Sequence, residues 1–393
     1  MSYPRNLYSQ LTTDLDNNQV IVITGMRRVG KTTALHHLYD LINSPNKAYF
    51  DLEHPLTRKL FELENYDAIL PGLKDSGINS NQRAFIFLDE IQNLPAITKV
   101  IKYLHDHYQT KFFVTGSSSY YLKNLFPESL AGRKFTYQLH PLSFSEFLIF
   151  KNITHTPPTD FTSKASNKNY VKHTKLLPFY QEYLEYGGFP QVVLTENTTK
   201  KKQLLLDTFK SYFEHDVKHL ADFQDLGKLR DLILLLTSRV SSNIDTTKLS
   251  SELAISRDTL YNYLTFLEST YFISLVSKHS HSIDRQTAGE KKVYFCDSGL
   301  IKTIGSPSIG QLLEQSIFQN LRPSHTLNYY RTKQGGEIDF VLDKKIALEV
   351  KKHASKRDLA NLKKRMDSAK LTEGYIASRD FVDDLRVILA TDL

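Results

Sequence analysis

The 393-residue chain contains one cysteine, Cys296. A lone thiol excludes an internal disulfide framework and a zinc site built from cysteines. No apolar run approaches the roughly 20 residues that a membrane-crossing helix needs, so no membrane partner is expected. The opening residues, Met1-Ser-Tyr-Pro-Arg-Asn, lack the apolar stretch of a secretory leader. These absences together predict a cytoplasmic location. Charge of one sign is scarce as well. The net charge is +7 with 24% charged residues, which is compatible with nucleic acid but too mild to require it. Hydrophobic residues make up 40%, as in folded globular proteins, and the length predicts two to four domains.

What is present is concentrated first in one stretch. Val20-Ile-Val-Ile-Thr is a buried-strand pattern, and Gly25-Met-Arg-Arg-Val-Gly-Lys-Thr follows it, opening a helix-forming sequence. Gly25 and Gly30 bracket four residues and precede Lys31 and Thr32, the spacing of a phosphate-binding P-loop. Glycines let such a loop turn its backbone N–H groups inward onto phosphate oxygens. Lys31 supplies a charge for the β- and γ-phosphates, the Thr32 hydroxyl is a ligand for Mg²⁺, and the helix start faces the same anion. Arg28 and Thr33 complete the expected nucleotide-contacting set.

Ala84-Phe-Ile-Phe-Leu-Asp-Glu is a continuous apolar run ending in two acids, the Walker B pattern. In a parallel sheet such a strand opens at its C-terminal end into the ligand crevice. Asp89 would hold Mg²⁺ through water, and Glu90 would orient or activate the attacking water. Lys111-Phe-Phe-Val-Thr-Gly-Ser reads as the next strand. Its polar end, Thr115 to Ser117, would sit beside Walker B and sense the γ-phosphate; an ordinary capped turn is the alternative. A fifth strand from Leu130 to Leu139 carries Arg133 at its entrance. That arginine either reaches a phosphate in its own or a neighbouring subunit or is a surface residue, so an oligomer is left open.

Residues Tyr3 to roughly Phe150 resemble the AAA-type ATPases often called archaeal-type ATPases. The resemblance rests on the Gly25 to Thr33 loop, Leu88-Asp-Glu-Ile-Gln-Asn, Thr115-Gly-Ser-Ser and Ala131-Gly-Arg…Pro141-Leu-Ser-Phe-Ser-Glu-Phe. It implies an α/β domain with a five-stranded parallel sheet flanked by helices, and ATP as the nucleotide. The residues alone do not select adenine over guanine.

Ile153 to Lys175 lacks periodicity and reads as a linker or mobile loop. The Gly187-Gly188-Phe-Pro turn resembles the start of a domain of unknown function commonly attached to these ATPases, and helical sequence runs from Lys201 to about Leu220. After a helix from Leu229 to Val240, residues Asp245 to Glu268 have a helix-turn-helix pattern. Leu260, Leu264 and Leu267 form the apolar stripe of the second helix, and Ser256 is its cap. Arg257, Thr259, Tyr261, Asn262 and Tyr263 would face outward, able to contact DNA. Phe272-Ile-Ser-Leu-Val and Lys292-Val-Tyr-Phe-Cys would be the strands of a wing. Winged helices also serve as plain packing modules, so DNA is a candidate partner only.

The C-terminal stretch carries a second chemistry. Strands at Gly336 to Leu342 and Ile346 to Lys351 can pair through the Asp343-Lys-Lys turn, with Glu349 and Lys351 on one face and Asp339 beside them. Two carboxylates and a lysine suit a divalent metal and its water. The set Glu314, Asp339, Glu349 and Lys351 resembles the restriction-endonuclease-like nuclease fold, which implies a metal site at Glu314, Asp339 and Glu349 with Lys351 as a nuclease residue. The alternative is a retained fold whose carboxylates form ion pairs with Lys351, Lys352 or Arg331. The basic helix expected from Lys356 to Lys370 is either a solvated face or the lining of a DNA groove. The expected domains are a P-loop ATPase domain over 1–150, a linker and helical segment over 151–225, a winged helix over 226–300 and a nuclease-like α/β domain over 301–393. The leading reading is an ATP- and Mg²⁺-dependent ATPase that repositions a DNA-binding or DNA-cutting half. Its rivals are a nucleotide-switched interaction protein that cleaves nothing and a nucleic-acid motor.

Overall fold

The computed structural model describes residues 3–63, 65–117, 132–218, 225–280, 282, 289–332 and 334–393. Leu130 and Ala131 at the expected start of the fifth strand, Ser118 after the fourth, and Leu220 at the expected helix end lie outside the described residues. The chain divides into two compact units: residues 1–140 with 211–222 and 269–271, and residues 141–210, 223–268 and 272–393. Among the described residues no helix is long and apolar enough to cross a membrane.

The first unit is built on five parallel strands in the order β2-β3-β4-β1-β5: β1 Val20–Thr24, β2 Lys47–Asp51, β3 Phe85–Asp89, β4 Lys111–Gly116 and β5 Lys134–Gln138. The central strands β1 and β4 are buried at every residue, whereas edge strand β2 alternates. Strands covered on both faces read as unbroken apolar runs, which is why they were legible. One face packs Val20, Val22, Ile86, Leu88, Phe112 and Val114 against the Ile97–Tyr108 helix and its neighbours.

The second unit carries a mixed sheet in the order β12-β11-β10-β9-β8. It consists of β8 Leu327–Arg331, β9 Glu337–Leu342, β10 Ile346–Lys351, β11 Glu373–Ser378 and β12 Val387–Leu389. β8, β9 and β10 run antiparallel; β10, β11 and β12 run parallel. The Lys356–Ala369 helix makes the crossover between β10 and β11, burying Leu359 and Leu362 against the sheet. Its basic side therefore faces away from an apolar one. The Leu226–Thr237, Thr246–Leu253 and Arg257–Ser269 helices precede an antiparallel pair, β6 Ile273–Ser277 and β7 Lys291–Phe295.

One expectation is corrected here. Residues 153–175 are not a structureless linker: helices span Phe161–Ser166 and Tyr170–Tyr186. Asp160 and Asn169 cap them, accepting from the N–H of Ser163 at 2.7 Å and Lys172 at 2.9 Å. The polar composition concealed sparse anchors, Phe161, Ala165 and His173, all buried. By its contacts the Phe144–Phe150 helix belongs to the second unit. Phe144 meets Tyr180 edge-on at 5.0 Å between ring centroids, and its N–H donates to Asn320 Oδ1 at 2.6 Å. The Gly187-Gly188 turn is held in the same unit, where the Gly188 N–H donates to the buried Asp297 carboxylate at 2.7 Å.

Candidate functional site

The loop after β1 begins at Gly25, whose φ is +142°, and a Cβ there would lie 2.2 Å from the Leu139 carbonyl oxygen. Only glycine gives this turn without a clash. Gly30, at φ 101°, opens the Lys31–Leu41 helix. Arg5 braces the loop from outside, donating to the carbonyls of Val29 at 3.0 Å and His140 at 2.7 Å. Thr32 and Thr33 are exposed at the helix start, as is Arg28 on the loop. Lys31 is buried, and its Nζ donates to the Met26 carbonyl at 3.2 Å. Burial pushes its ammonium below the usual lysine range, against the pull of Glu90 and Asp216. A backward-curled glycine loop, with a lysine held over it, is a cradle that fits the phosphates of a nucleotide.

Because β3, β4 and β1 are parallel, Asp89, Thr115 and the phosphate loop emerge at the same end of the sheet. β4 lies between β1 and β3 and inserts its Thr115 hydroxyl next to the acids. Thr115 Oγ1 donates to Asp89 Oδ1 in a short hydrogen bond and accepts the Glu90 N–H at 3.0 Å. Asp89 Oδ2 accepts from the Tyr49 hydroxyl of β2 at 2.8 Å. Burial first, and then Asp89, drives the Tyr49 phenol well above its ordinary range, so Tyr49 stays a donor. Glu90 adopts φ 52°, a left-handed conformation held by that N–H bond. Its carboxylate accepts from the Gln92 amide, and Gln92 in turn accepts the Ser117 N–H at 3.3 Å. Ser117 is buried, and its hydroxyl has no hydrogen-bond partner among the described residues.

Tyr49, Gln92, Arg5 and Asp216 were missed by reading the sequence. Only Gln92 had a local signal, two residues beyond Glu90. The network yields a direct expectation. Thr115→Val keeps the side-chain volume but removes both bonds that aim Asp89 and Glu90. Turnover should fall by about 10–100-fold, the usual cost of losing a supporting partner, while nucleotide affinity stays near wild type. Steady-state hydrolysis compared with equilibrium titration checks this; equal losses in both would mean that Thr115 shapes the pocket instead.

Arg133 lies at the opposite end of the sheet from the phosphate loop. It stands at the N-terminal end of β5, where its carbonyl accepts the Val20 N–H at 2.7 Å. The phosphate loop leaves the other end of β1, a five-residue strand that spans about 16 Å. Its guanidinium pairs with Asp106 at 3.1 Å. The in-cis reading is corrected accordingly.

In the second unit the acids meet bases. Lys292 of β7, 1% exposed, pairs with Glu314 at 3.1 Å, with Asp339 at 3.8 Å and with Glu337 in a short contact. Tyr294 also donates to Glu314 at 2.6 Å. Burial alone would lower the Lys292 ammonium, yet Glu314, Asp339 and Glu337 together raise it above its ordinary range. Burial and then Asp339 push the Glu314 carboxyl up to about 7. Asp339 Oδ2 accepts the Val350 N–H at 2.8 Å, so it does lie beside β10. Glu349, however, is buried and turned to Arg365 in a short ion pair, with Lys351 at 3.5 Å. The expected convergence of Glu314, Asp339 and Glu349 on one point is therefore corrected: two bond Lys292 and the third bonds Arg365. Among the described residues no three acids, histidines or cysteines gather as a metal-holding group.

In the helix-turn-helix stretch, Ser256 Oγ accepts the Thr259 N–H at 3.0 Å, capping the Arg257–Ser269 helix as expected. Leu260, Leu264 and Leu267 are buried, while Arg257, Tyr261 and Asn262 are exposed. Tyr263 is a correction: it is buried, donating to the Asp225 carbonyl at 2.9 Å. It lies three residues after Leu260 and four before Leu267, and so shares their buried face of the helix.

Three family models match successive parts of the chain. A family model described as an AAA domain matches residues 17–148, and models described as domains of unknown function, DUF8612 and DUF4143, match residues 178–308 and 309–381. An uncharacterized protein of Methanocaldococcus jannaschii is 28% identical over 340 residues, 83% of this chain and 72% of the relative. An uncharacterized protein of Haemophilus influenzae is 25% identical over 409 residues, 98% of this chain and 97% of the relative. Among solved structures, the Walker-type ATPase of Pyrococcus abyssi aligns at 14% identity over 77% of this chain and 96% of that one, with a TM-score of 0.50. The parallel sheet with its glycine loop thus has the α/β fold of P-loop ATPases, and it lies within the residues that the AAA-domain model matches.

Proposed function

We propose that the first unit hydrolyses ATP with Mg²⁺ and that its nucleotide state controls a DNA-binding second unit that does not cut. The observation that carries the hydrolytic reading is the Thr115 bridge, which fixes Asp89 and Glu90 at the mouth of the phosphate loop. Lys31, the loop N–H groups and Thr32 would hold the phosphates, with Thr32 and Asp89 on the metal side. Bound Mg²⁺ supplies charge neutralisation between the phosphates. Glu90, aimed by Gln92, takes the proton of the attacking water. The Thr115 to Ser117 turn would register the terminal phosphate.

For the second unit, the exposed Arg257, Tyr261 and Asn262 on a capped helix support DNA contact through phosphates and base edges. The strand and helix order around β8 to β12 supports the resemblance to a nuclease fold. Lys292 among its acids favours binding without cleavage, because an ammonium already supplies the positive charge that a metal would bring. The test measures ATP hydrolysis with and without single- and double-stranded DNA and RNA, with Lys31→Ala protein as control. Turnover that depends on Lys31 and rises several-fold with DNA is expected, with the DNA left intact. Equal rates with and without every nucleic acid would favour a switch acting on a protein partner, and DNA cleavage would restore the nuclease reading.

A further inference from the structure

The phosphate loop already holds an anion of its own. Arg27, in the middle of the loop, donates from Nε to Asp216 Oδ2 at 2.8 Å. The Asp216 side chain is only 3% exposed, and its other oxygen is buried with no hydrogen-bond partner among the described residues. A carboxylate with an unused acceptor in such a place is costly. Burial raises its proton affinity, and Arg27 and Lys31 are the charges that oppose this. Asp216 is therefore bonded to Arg27 of the loop and lies within electrostatic reach of Lys31. Lys31, meanwhile, rests on a carbonyl of its own loop.

Asp216 also sits on unusual backbone. Tyr212–Val217 is a π-helical turn, a geometry that recurs at functional sites. Residues 211–222 and 269–271 belong to the first unit although the chain on either side of each belongs to the second. Within the first unit the Tyr212 hydroxyl pairs with Thr270 at 2.7 Å, and Tyr271 donates to Thr24, the residue before the loop, at 2.9 Å.

We propose that Asp216 is the resident counter-anion of the phosphate loop, and that the polyphosphate of a nucleoside triphosphate displaces it from Arg27 and Lys31. This rests on the reading of the first unit as a nucleotide site. Like charges cannot share one pair of cations at short range. A triphosphate, with several charges and the loop N–H groups to bind it, outcompetes one carboxylate. A monophosphate, whose single phosphate does not span the loop, does not. Asp216 is a positioning residue: it sets the free-state arrangement of the loop cations and converts phosphate arrival into release of the 212–217 turn.

The test uses full-length protein, fluorescent analogues of ATP and AMP, and amide hydrogen exchange at residues 212–217. If the latch is closed in about nine-tenths of free molecules, Asp216→Asn binds the ATP analogue about tenfold more tightly, with the AMP analogue little changed. A residue that merely stabilised the fold would not tighten binding when replaced. In wild type, ATP should speed exchange across 212–217; in Asp216→Asn exchange should already be fast and insensitive to ATP. This second measurement on wild type needs no variant to fold. Unchanged or weaker ATP-analogue binding by folded Asp216→Asn, or slower exchange of the turn with ATP, overturns the proposal. If wild type binds no ATP analogue, or Lys31→Ala binds it equally well, the nucleotide-site reading itself fails and takes this inference with it.

Discussion

Replacing Glu90 by glutamine will leave ATP binding close to wild type and lower hydrolysis by about a hundredfold or more, the contribution of a positioned general base. The amide has nearly the shape of the carboxylate, so the left-handed backbone at φ 52° and the N–H bond to Thr115 persist. What is lost is the capacity to take up a proton. Lys31→Ala should do the opposite, weakening binding before chemistry is reached, because it removes the one buried ammonium of the loop. Equilibrium titration with a non-hydrolysable analogue, set beside single-turnover hydrolysis, separates the two. Undiminished turnover by Glu90→Gln would move the proton acceptor elsewhere, and Thr115 and Gln92 would then be holding a structural acid.

Lys292→Met is expected to have the largest effect on stability. It leaves Glu314, Glu337 and Asp339 facing one another without the ammonium that joins them. Removing one partner from a largely buried charge cluster costs about 3 kcal/mol, at the low end because the acids are partly wet. For a unit the size of the second one, unfolding by itself, that corresponds to a melting point lower by roughly 6–12 °C. The pH dependence has a definite sign. Glu314 is pushed up from 4.5 to about 7, so between those values the folded state keeps a proton that the unfolded chain has released. Its stabilising contribution is complete below that window and is lost as pH rises through it. Lys292, whose affinity for its proton is raised, stays charged across the same range and offsets the ionised acid in wild type. In Lys292→Met nothing does, so the deficit should be greater at pH 8 than at pH 5.5. Thermal melts of both proteins at the two pH values test the assignment. A variant that melts with wild type at pH 8 would show that Lys292 carries no such role.

The sequence by itself determined the elements whose cause is local. Val20 to Thr32 had to be strand, loop and helix, since a five-residue apolar run, two bracketing glycines and a lysine-threonine pair admit little else. The same holds for β3 ending in Asp89-Glu90, for Ser256 capping its helix, and for Glu349 and Lys351 sharing a face of β10. Alternation, caps and turn residues act within a few positions, and their chemistry can be read there.

Tertiary structure decided which groups meet. Arg27 and Asp216 are 189 residues apart, and no pattern around Glu214-His-Asp predicted an anion for the phosphate loop. Lys292 looked like a wing residue, yet it fills the middle of an acid cluster assembled from β7, β9 and the Ile309–Leu321 helix. Arg133 had a suggestive position in sequence, and strand direction alone put it at the wrong end of the sheet. Tyr263 and the helices within 153–175 failed for a related reason: burial of a few aromatic anchors depends on surfaces supplied by distant segments. Charge compensation and burial are properties of three-dimensional neighbourhoods, so the sequence names the acids and the fold selects their partners.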